Sequence, residues 1–540
     1  MKDISSTGSF INFYLNNYIY VDKTQYIRDL IKLERVFISR PRRFGKSLTL
    51  DTIATLFETG VEPYFKGTWI YDKWTEPTYP VLRLNFLDLD KYSLEHFKQK
   101  LNAIISSFAR DINVKNYEEK VEPEDTIYFL LDELRKEKRQ IVILIDEYDC
   151  QMTANINNET LYKQFQEKIK SFYANIKNKW PIKFLGITGV TRLKDVEIFS
   201  VGSDINDITN DSVYSQMIGF TRDEIKKYYI DYLKLAASYE NKCRVEEVTD
   251  TQIESMLDMM AQNYDGYCFD EFYKKKVFST WSVNKFFQSV VSNKFVYFGE
   301  YWYDNGGLPS ILVNYLKIHE LNIFEYLDKD KFLKVSSDDF KNPTALTTIN
   351  QNVLMCQTGY LTLRSDLNKT STVALGIPNG EIYKALNRLL ANNIFKGNID
   401  ITDDYGRSLL EVGTVDDIIN LFNSALNSVS YDNYPIVSES SVQNMLKLYL
   451  LGAHQKVLSE VHEAKGRADL VVNTDNRRIV FEFKYAKNDT EAKSKLLDAV
   501  EQIKTRDYGN IVPNKTELLR IAAVFNADPK VRAFTEYQEV

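Results

Sequence analysis

Two short stretches of this chain gather residue types that handle phosphate. The first is Ser39-Arg40-Pro41-Arg42-Arg43-Phe44-Gly45-Lys46-Ser47-Leu48; the second is Gly466-Arg467-Ala468-Asp469, followed by Glu482-Phe483-Lys484. In the first, Gly45, Lys46 and Ser47 stand where the apolar run Val36-Phe37-Ile38 gives way to a helical pattern from about Lys46 to Glu58. Backbone N–H groups at a strand-to-helix turn cradle phosphates, and the helix N-terminus adds to the attraction. Lys46 would reach the outer phosphates of a nucleotide and the Ser47 hydroxyl would bind Mg²⁺. In the second, Asp469 and Glu482 offer hard oxygens to Mg²⁺ or Mn²⁺. A metal held there polarises a phosphodiester and lowers the pKa of a bound water. Lys484 would orient that water or stabilise charge in the transition state.

Further residues complete the first site. Asp146 and Glu147 follow Ile141–Ile145, a run apolar throughout, as in a central strand covered on both faces. Asp146 would hold Mg²⁺ through water and Glu147 would polarise the attacking water of ATP hydrolysis. Ligands of open α/β sheets bind beyond the carboxyl ends of the strands, where both motifs lie. Thr188, closing the strand-like Phe184-Leu185-Gly186-Ile187-Thr188, and the following Thr191-Arg192 would sense the γ-phosphate. The usual loop begins with Gly five residues before Gly45, and Arg40 stands there instead. Arg40, Arg42 and Arg43 would compensate with positive charge or serve a partner.

Around the second site, Asn473-Thr474-Asp475-Asn476 reads as a turn between two strands. Glu482 and Lys484, two apart, share a face. If Val472 pairs with Arg477, Asp469 faces Val480 and is a diagonal neighbour of Glu482. Burying three such charges without a function would be costly. Arg467, Arg477, Arg478 and Lys487 would cluster near the hairpin as phosphate contacts.

The elements that must position these residues are legible in outline. Short apolar runs alternate with helical stretches over the first ~220 residues, as a parallel sheet requires; Val81–Phe86 supplies another strand. From Thr221 to about Phe295 the text is helical and aromatic, opened by a capping box at Thr221-Arg222-Asp223-Glu224. A mixed stretch follows, with a hairpin expected near Thr358–Leu363. After about Tyr434 the order is helix, hairpin, helix and strand. The expected segments are residues 1–220, 221–310, 311–430 and 431–540, since 540 residues exceed a single core. A net charge of −7 disfavours non-specific coating of nucleic acid while leaving room for a local basic groove. Cys150, Cys243, Cys268 and Cys356 are far apart and form no zinc pattern with the four histidines, which fits a reducing cytoplasm. No run approaches 18 apolar residues, so no membrane span is expected.

Tyr20-Val21-Asp22-Lys23-Thr24, the Ser39–Ser47 loop, Asp146-Glu147-Tyr148-Asp149 and Thr188-Gly189-Val190-Thr191-Arg192 together resemble the AAA-ATPase-like family. Its members commonly carry a PD-(D/E)XK nuclease domain at the C-terminus, and Arg in place of the first loop Gly is that family's own version. Phe199, Gly219-Phe220-Thr221 and Tyr264-Asp265-Gly266-Tyr267 also sit where the family has similar text. The resemblance implies an α/β fold: an additional-strand, AAA-like P-loop NTPase core in the sheet order 5-1-4-3-2, a helical lid, and a C-terminal α/β PD-(D/E)XK nuclease fold. It implies a nucleotide-binding role for Arg42, Arg43, Phe44 and Leu48 beside Gly45, Lys46 and Ser47. Near the hairpin, Gly466-Arg467 resembles the G-R-x-D text of fused nuclease domains. Glu439 matches the upstream acidic metal ligand, with Glu460 as a rival, and Gln502 with Tyr508 resembles a Gln…Tyr element that contacts nucleic acid. The implied cofactors are ATP and Mg²⁺, with Mn²⁺ an option at the second site; the implied partners are DNA and a second copy of the chain. The rival reading is an ATP-dependent switch or scaffold whose C-terminal domain binds nucleic acid or protein without cutting.

Overall fold

Unbroken β-branched and aliphatic runs form strands that are buried on both faces. The computed structural model describes residues 1–176, 179–193, 204–302, 310–316, 323–343, 345–395, 404–463, 466–508 and 517–540. There the apolar runs become β1 (Arg35–Ser39), β2 (Val81–Asn85), β3 (Ile141–Asp146) and β4 (Ile182–Gly189), joined by the two-residue β5 (Asn206–Asp207). All pairings are parallel and the order is β2-β3-β4-β1-β5, the expected order read from the other edge. The register aligns the carboxyl ends: Ser39 with Gly189, Ile145 with Ile187, and Asn85 with Asp146. Loops far apart in sequence therefore emerge side by side.

Helix α1 (Lys46–Thr59) begins at the loop after β1. Gly45 there has φ +103, a conformation L side chains rarely adopt. Helices α2 (Leu94–Asp111), α3 (Pro123–Lys136) and α5 (Glu159–Ile176) pack on one another, and the short α4 (Cys150–Ala154) follows β3. The aromatic-rich stretch forms α6 (Arg222–Tyr228), α7 (Ile230–Asn241), α8 (Asp250–Tyr264) and α9 (Thr280–Asn293). The capping box at Thr221 is present: its hydroxyl accepts from Glu224 N at 3.2 Å, and its own N–H donates to Glu224 Oε2 at 2.8 Å. These helices share a core of Tyr229, Leu233, Met256, Phe286 and Phe287 that Ile19 and Val21 of the N-terminal segment join.

A small sheet, β6 (Leu333–Ser336), β7 (Thr362–Leu363) and β8 (Thr372–Gly376), is ordered β6-β8-β7. The hairpin expected at Thr358–Leu363 is thus displaced: Thr358 ends helix α10 (Gln351–Thr358) and Gly359, at φ +95, is its C-cap. The glycine stops a helix instead of turning a hairpin.

The described residues divide into two compact units, Met1–Leu321 with Phe332–Ile382, and Asn322–Lys331 with Tyr383–Val540. The second contains α11 (Glu439–Gly452), β9 (Lys456–Glu463), β10 (Gly466–Asn473), β11 (Arg477–Ala486), α12 (Asp489–Arg506), β12 (Glu517–Asn526) and β13 (Ala533–Glu539). Its sheet runs β13-β12-β11-β10-β9, with β11 and β12 parallel and the other pairs antiparallel. Strand β9 was not legible, because Glu460 interrupts it at φ +54 and Leu458 is exposed. Among the described residues, no helix is long and apolar enough to cross a membrane.

Candidate functional site

At the carboxyl end of the parallel sheet the loop residues are already wired together. Ser47 Oγ donates to Asp146 Oδ2 at 2.5 Å, and Thr188 Oγ1 donates to Asp146 Oδ1. One carboxylate at the end of β3 thus links the start of α1 to the end of β4. Lys46 Nζ is buried, donates to the carbonyls of Arg40 (3.1 Å) and Pro41 (3.2 Å), and lies 3.6 Å from Glu147 Oε1. Burial raises the pKa of Glu147, and the Lys46 charge opposes that shift. Glu147 sits at φ +53, a strained position for a residue with a Cβ.

Beneath these groups, Asp149 fixes the loop after β4. It accepts from Thr191 N at 2.7 Å and from Thr191 Oγ1 at 2.5 Å, while Tyr148 Oη donates to the Thr191 carbonyl at 3.1 Å. A Cβ on Gly189 would come within 2.5 Å of the Tyr148 ring, so this contact requires glycine. In Asp146-Glu147-Tyr148-Asp149, therefore, the first two residues face the loop and the last two hold the sheet edge in place. Their alternation with the motif Thr188–Arg192 was the available signal.

A cleft of about 630 Å³ opens over Gly45, Lys46 and Ser47 and is bordered by Glu147. Arg42, Arg43, Phe44 and Leu48 also line it. Its far wall comes from the N-terminal segment and the helical region, through Tyr20, Val21, Phe220, Tyr229 and Trp281. The Arg43 guanidinium stacks on Trp281 at 4.0 Å, and Arg43 O accepts from Thr280 Oγ1 at 2.9 Å. Helix α9 is thereby seated on the loop. Phe44 turns its ring into the core, edge-on to Tyr267 at 4.7 Å, so only its backbone can serve a ligand.

Other sequence candidates stand elsewhere. Arg40 adds no charge to the cleft: it is fully buried, donates to the carbonyls of Ser39 (2.8 Å) and Thr209 (2.6 Å), and lies over Phe269. Burial brings its pKa down to about 9. Arg192 does not line the cleft but pairs with Asp207 of the two-residue strand β5, too short to show as a strand in the sequence. Asp22 accepts from Thr24 N at 2.9 Å and from Trp69 N at 2.5 Å, a structural role. Lys23 reaches the cleft wall and donates to Glu224 at 2.6 Å and to Gln216 O at 2.7 Å. Phe199 lies outside the described residues.

In the second unit the hairpin brings Asp469, Glu482 and Lys484 to one face. The register pairs Leu470 with Phe481 and Asn473 with Arg478, so Asp469 stands directly across from Glu482 and not on its diagonal. The turn has four residues, as expected, but is displaced by one position, and the register with it by two, because Thr474 Oγ1 accepts from Arg477 N at 3.0 Å and draws Arg477 into the turn. A shift of two keeps every side chain on its face. The ladder ends there, and Asp469 Oδ2 accepts from Phe483 N at 2.8 Å in place of a backbone partner.

Glu482 is fully buried, and Lys484 Nζ donates to its Oε1 at 2.7 Å. Its other oxygen, Oε2, has no hydrogen-bond partner among the described residues. Burial and then the neighbouring Asp469 charge push Glu482 up to about 7. Burial likewise pushes Asp469 up to about 6. Burial pulls Lys484 down, but the bond to Glu482 outweighs it and the net shift is upward. Glu439, in the first turn of α11, lies 3.4 Å from Lys484 Nζ, at a helix end that favours a carboxylate. One turn on, Gln443 Nε2 donates to the Asp469 carbonyl and to Glu460 Oε1 at 3.2 Å. Glu460 stands across β9 from Asp469 and is paired with Arg467.

Among the described residues, no three acidic, His or Cys groups converge tightly enough to cage a metal ion. Two carboxylates side by side, one with an orphaned buried oxygen, nevertheless fit Mg²⁺, which is commonly held by one or two carboxylates and otherwise by water and substrate phosphate.

Of the expected basic cluster, Arg477 turns inward. Arg477 is buried at the turn end of β11, where it pairs with Glu517 at 3.1 Å through both Nε and Nη2 and donates to Gly413 O at 2.7 Å. Tyr508 is fully buried, and its hydroxyl accepts from Gln502 (3.3 Å) and Arg506 (2.9 Å). Its ring cannot meet a ligand; it supports α12. Arg506, which sequence reasoning missed, packs over Gly466 and feels the charges of Glu482 and Asp469. Its position one turn after Gln502 on the same helix was the only signal.

Comparison with known proteins divides the chain in the same way. Residues 5–199 match a family model described as a predicted AAA-ATPase, and residues 437–535 match one for the PD-(D/E)XK nuclease superfamily. A curated relative from Azotobacter chroococcum mcd 1, "Uncharacterized protein in vnfD 5'region", is 25% identical over 532 residues, covering 95% of this chain and 94% of its own length. Among solved structures, Cdc6p from Pyrobaculum aerophilum aligns at 11% identity over 68% of this chain and 93% of its own, with a TM-score of 0.22, too slight to define a fold.

Proposed function

We propose that this chain, an AAA-ATPase-like protein with a C-terminal PD-(D/E)XK nuclease superfamily domain, binds and hydrolyses ATP and couples it to Mg²⁺-dependent cleavage of DNA. Mobile-element or defence biology in the cytoplasm is the setting this architecture suits. The observation that carries the reading is Glu482: a buried carboxylate with an unsatisfied oxygen beside a second carboxylate and a lysine. Such a group costs stability and gives no structural return.

In the ATPase half, the loop backbone and Lys46 take the phosphates, while Ser47 and Asp146 would hold Mg²⁺. Glu147, opposite Lys46, accepts a hydrogen bond from the attacking water once Lys46 turns to the phosphates. In the nuclease half, Asp469 and Glu482 would hold Mg²⁺ or Mn²⁺, with Glu439 at the edge. The metal supplies Lewis acidity and a bound water of lowered pKa. Lys484 then exchanges its bond to Glu482 for one to the developing negative charge. Arg467 and Gln502 flank the site as backbone contacts for the nucleic acid. P-loop sites are often completed by an arginine from a neighbouring subunit, so a second copy of the chain is the expected partner.

The test is cleavage of linear, circular and single-stranded DNA with Mg²⁺ or Mn²⁺, with and without ATP, for wild type, Lys46→Ala and Glu482→Ala. Cutting that Glu482→Ala abolishes and Lys46→Ala alters is expected. ATP turnover with no cutting of any substrate would instead leave a nucleotide switch.

A further inference from the structure

We propose that Lys91 is the residue that distinguishes ATP from ADP in the cleft, by contacting the γ-phosphate; this rests on the ATP reading above. Five cations border the cleft: Lys23, Arg42, Arg43, Lys46 and Lys91. Lys23 is committed to Glu224 and Gln216, Lys46 to the loop carbonyls and Glu147, and Arg43 to Trp281. Arg192, the sequence candidate for this role, is tied to Asp207 and does not border the cleft. The side-chain nitrogens of Lys91 and Arg42 have no hydrogen-bond or ion-pair partner among the described residues, and of the two it is Lys91 that stands on the loop after β2, beside Asp146 and Glu147.

The position of Lys91 follows from the sheet. Strand β2 adjoins β3, with Asn85 beside Asp146, so the loop after β2 emerges next to Asp146 and Glu147. That loop is sutured to the segment after Glu147. Gln151 Nε2 donates to Phe86 O at 2.7 Å, and Asn155 Nδ2 donates to the Lys91 carbonyl at 2.6 Å. Asp90 Oδ1 then accepts from Tyr92 N and Ser93 N, each at 2.8 Å. These bonds hold the backbone on both sides of Lys91. Lys91, Glu147 and Arg42 all line the same cleft. The γ-phosphate carries the charge that ADP lacks, and a flexible ammonium stem is suited to meet it.

The experiment is titration of the full chain with ATP and with ADP in Mg²⁺, followed by ATP turnover, for wild type, Lys91→Ala, Lys91→Arg and Lys46→Ala, with a thermal melt of each. Lys91→Ala is expected to weaken ATP at least tenfold while ADP stays within twofold. Lys91→Arg should recover most of the ATP preference, and Lys46→Ala should weaken both nucleotides. An ATP-to-ADP affinity ratio in Lys91→Ala within twofold of wild type overturns the proposal and leaves the nucleotide site standing. Wild type binding neither nucleotide overturns the ATP reading and this inference with it.

Discussion

The two candidate sites solve the burial of charge in opposite ways. In the nucleotide site Asp146 is shared by Ser47 and Thr188, and Lys46 has two carbonyls and a carboxylate. Each group has a protein partner. In the hairpin site Asp469 and Glu482 stand across from each other just beyond the end of the ladder, and one lysine serves Glu482. An oxygen is left over, and both carboxylates are pushed toward neutral pH. The difference teaches that the first site is pre-organised by its own side chains, whereas the second holds an electrostatic deficit that a cation would relieve.

That contrast can be broken at several points. The largest effect belongs to Lys484→Ala, which should lower DNA cleavage by ~10²–10³-fold and leave ATP turnover intact, as read by paired cleavage and phosphate-release assays. Equal losses in both assays would mean the sites are not separable.

Next comes pH. Asp469 and Glu482 are raised to about 6 and about 7 from 3.8 and 4.5. The folded, metal-free protein therefore keeps protons that the unfolded chain has released between about pH 4 and pH 7. A raised acid stabilises only while protonated, so stability falls as pH rises through that window and is lowest above it. Glu482→Gln should flatten this slope and raise the melting temperature at pH 8, with about 3 kcal/mol as the upper scale for a shift of this size. Mg²⁺ should stabilise wild type at pH 8 and do little for Glu482→Gln. A melt that ignores both pH and Mg²⁺ would remove the deficit from the account.

A smaller effect is expected from Arg477→Ala, at the far end of the same strand. Losing its bonds to Glu517 and Gly413 should destabilise the C-terminal unit by about 1–2 kcal/mol in denaturant melts, with DNA affinity unchanged. A steeper loss of DNA binding than of stability would return Arg477 to the basic cluster. The smallest belongs to Arg192→Ala: ATP turnover should stay at the wild-type level because Asp207, not nucleotide, is its partner.

The nucleotide site was legible because it is built at the ends of consecutive strands, where each motif follows an apolar run. Gly45-Lys46-Ser47 and Asp146-Glu147 needed only the parallel sheet to be brought together. The pairing of Arg192 with Asp207 was not legible, because position after a strand does not reveal which partner a long side chain selects. Lys91 escaped because its loop carries no motif, and its place is set by hydrogen bonds from Gln151 and Asn155. At the hairpin, the period of two fixed the shared face of Asp469, Glu482 and Lys484 despite the displaced turn. The pairing itself depended on a Thr474 hydroxyl.

The sequence by itself determined the residue types and the strand faces, because these follow from local periodicity, and its family resemblance implied the order of the sheet. Tertiary structure alone decided which charges remain unpartnered. It turned Arg40, Arg477 and Tyr508 inward, tied Arg192 to Asp207, and left Lys91 and one oxygen of Glu482 without partners among the described residues. Solvation and pairing of a charge depend on every element packed around it, and that information is spread over the whole chain.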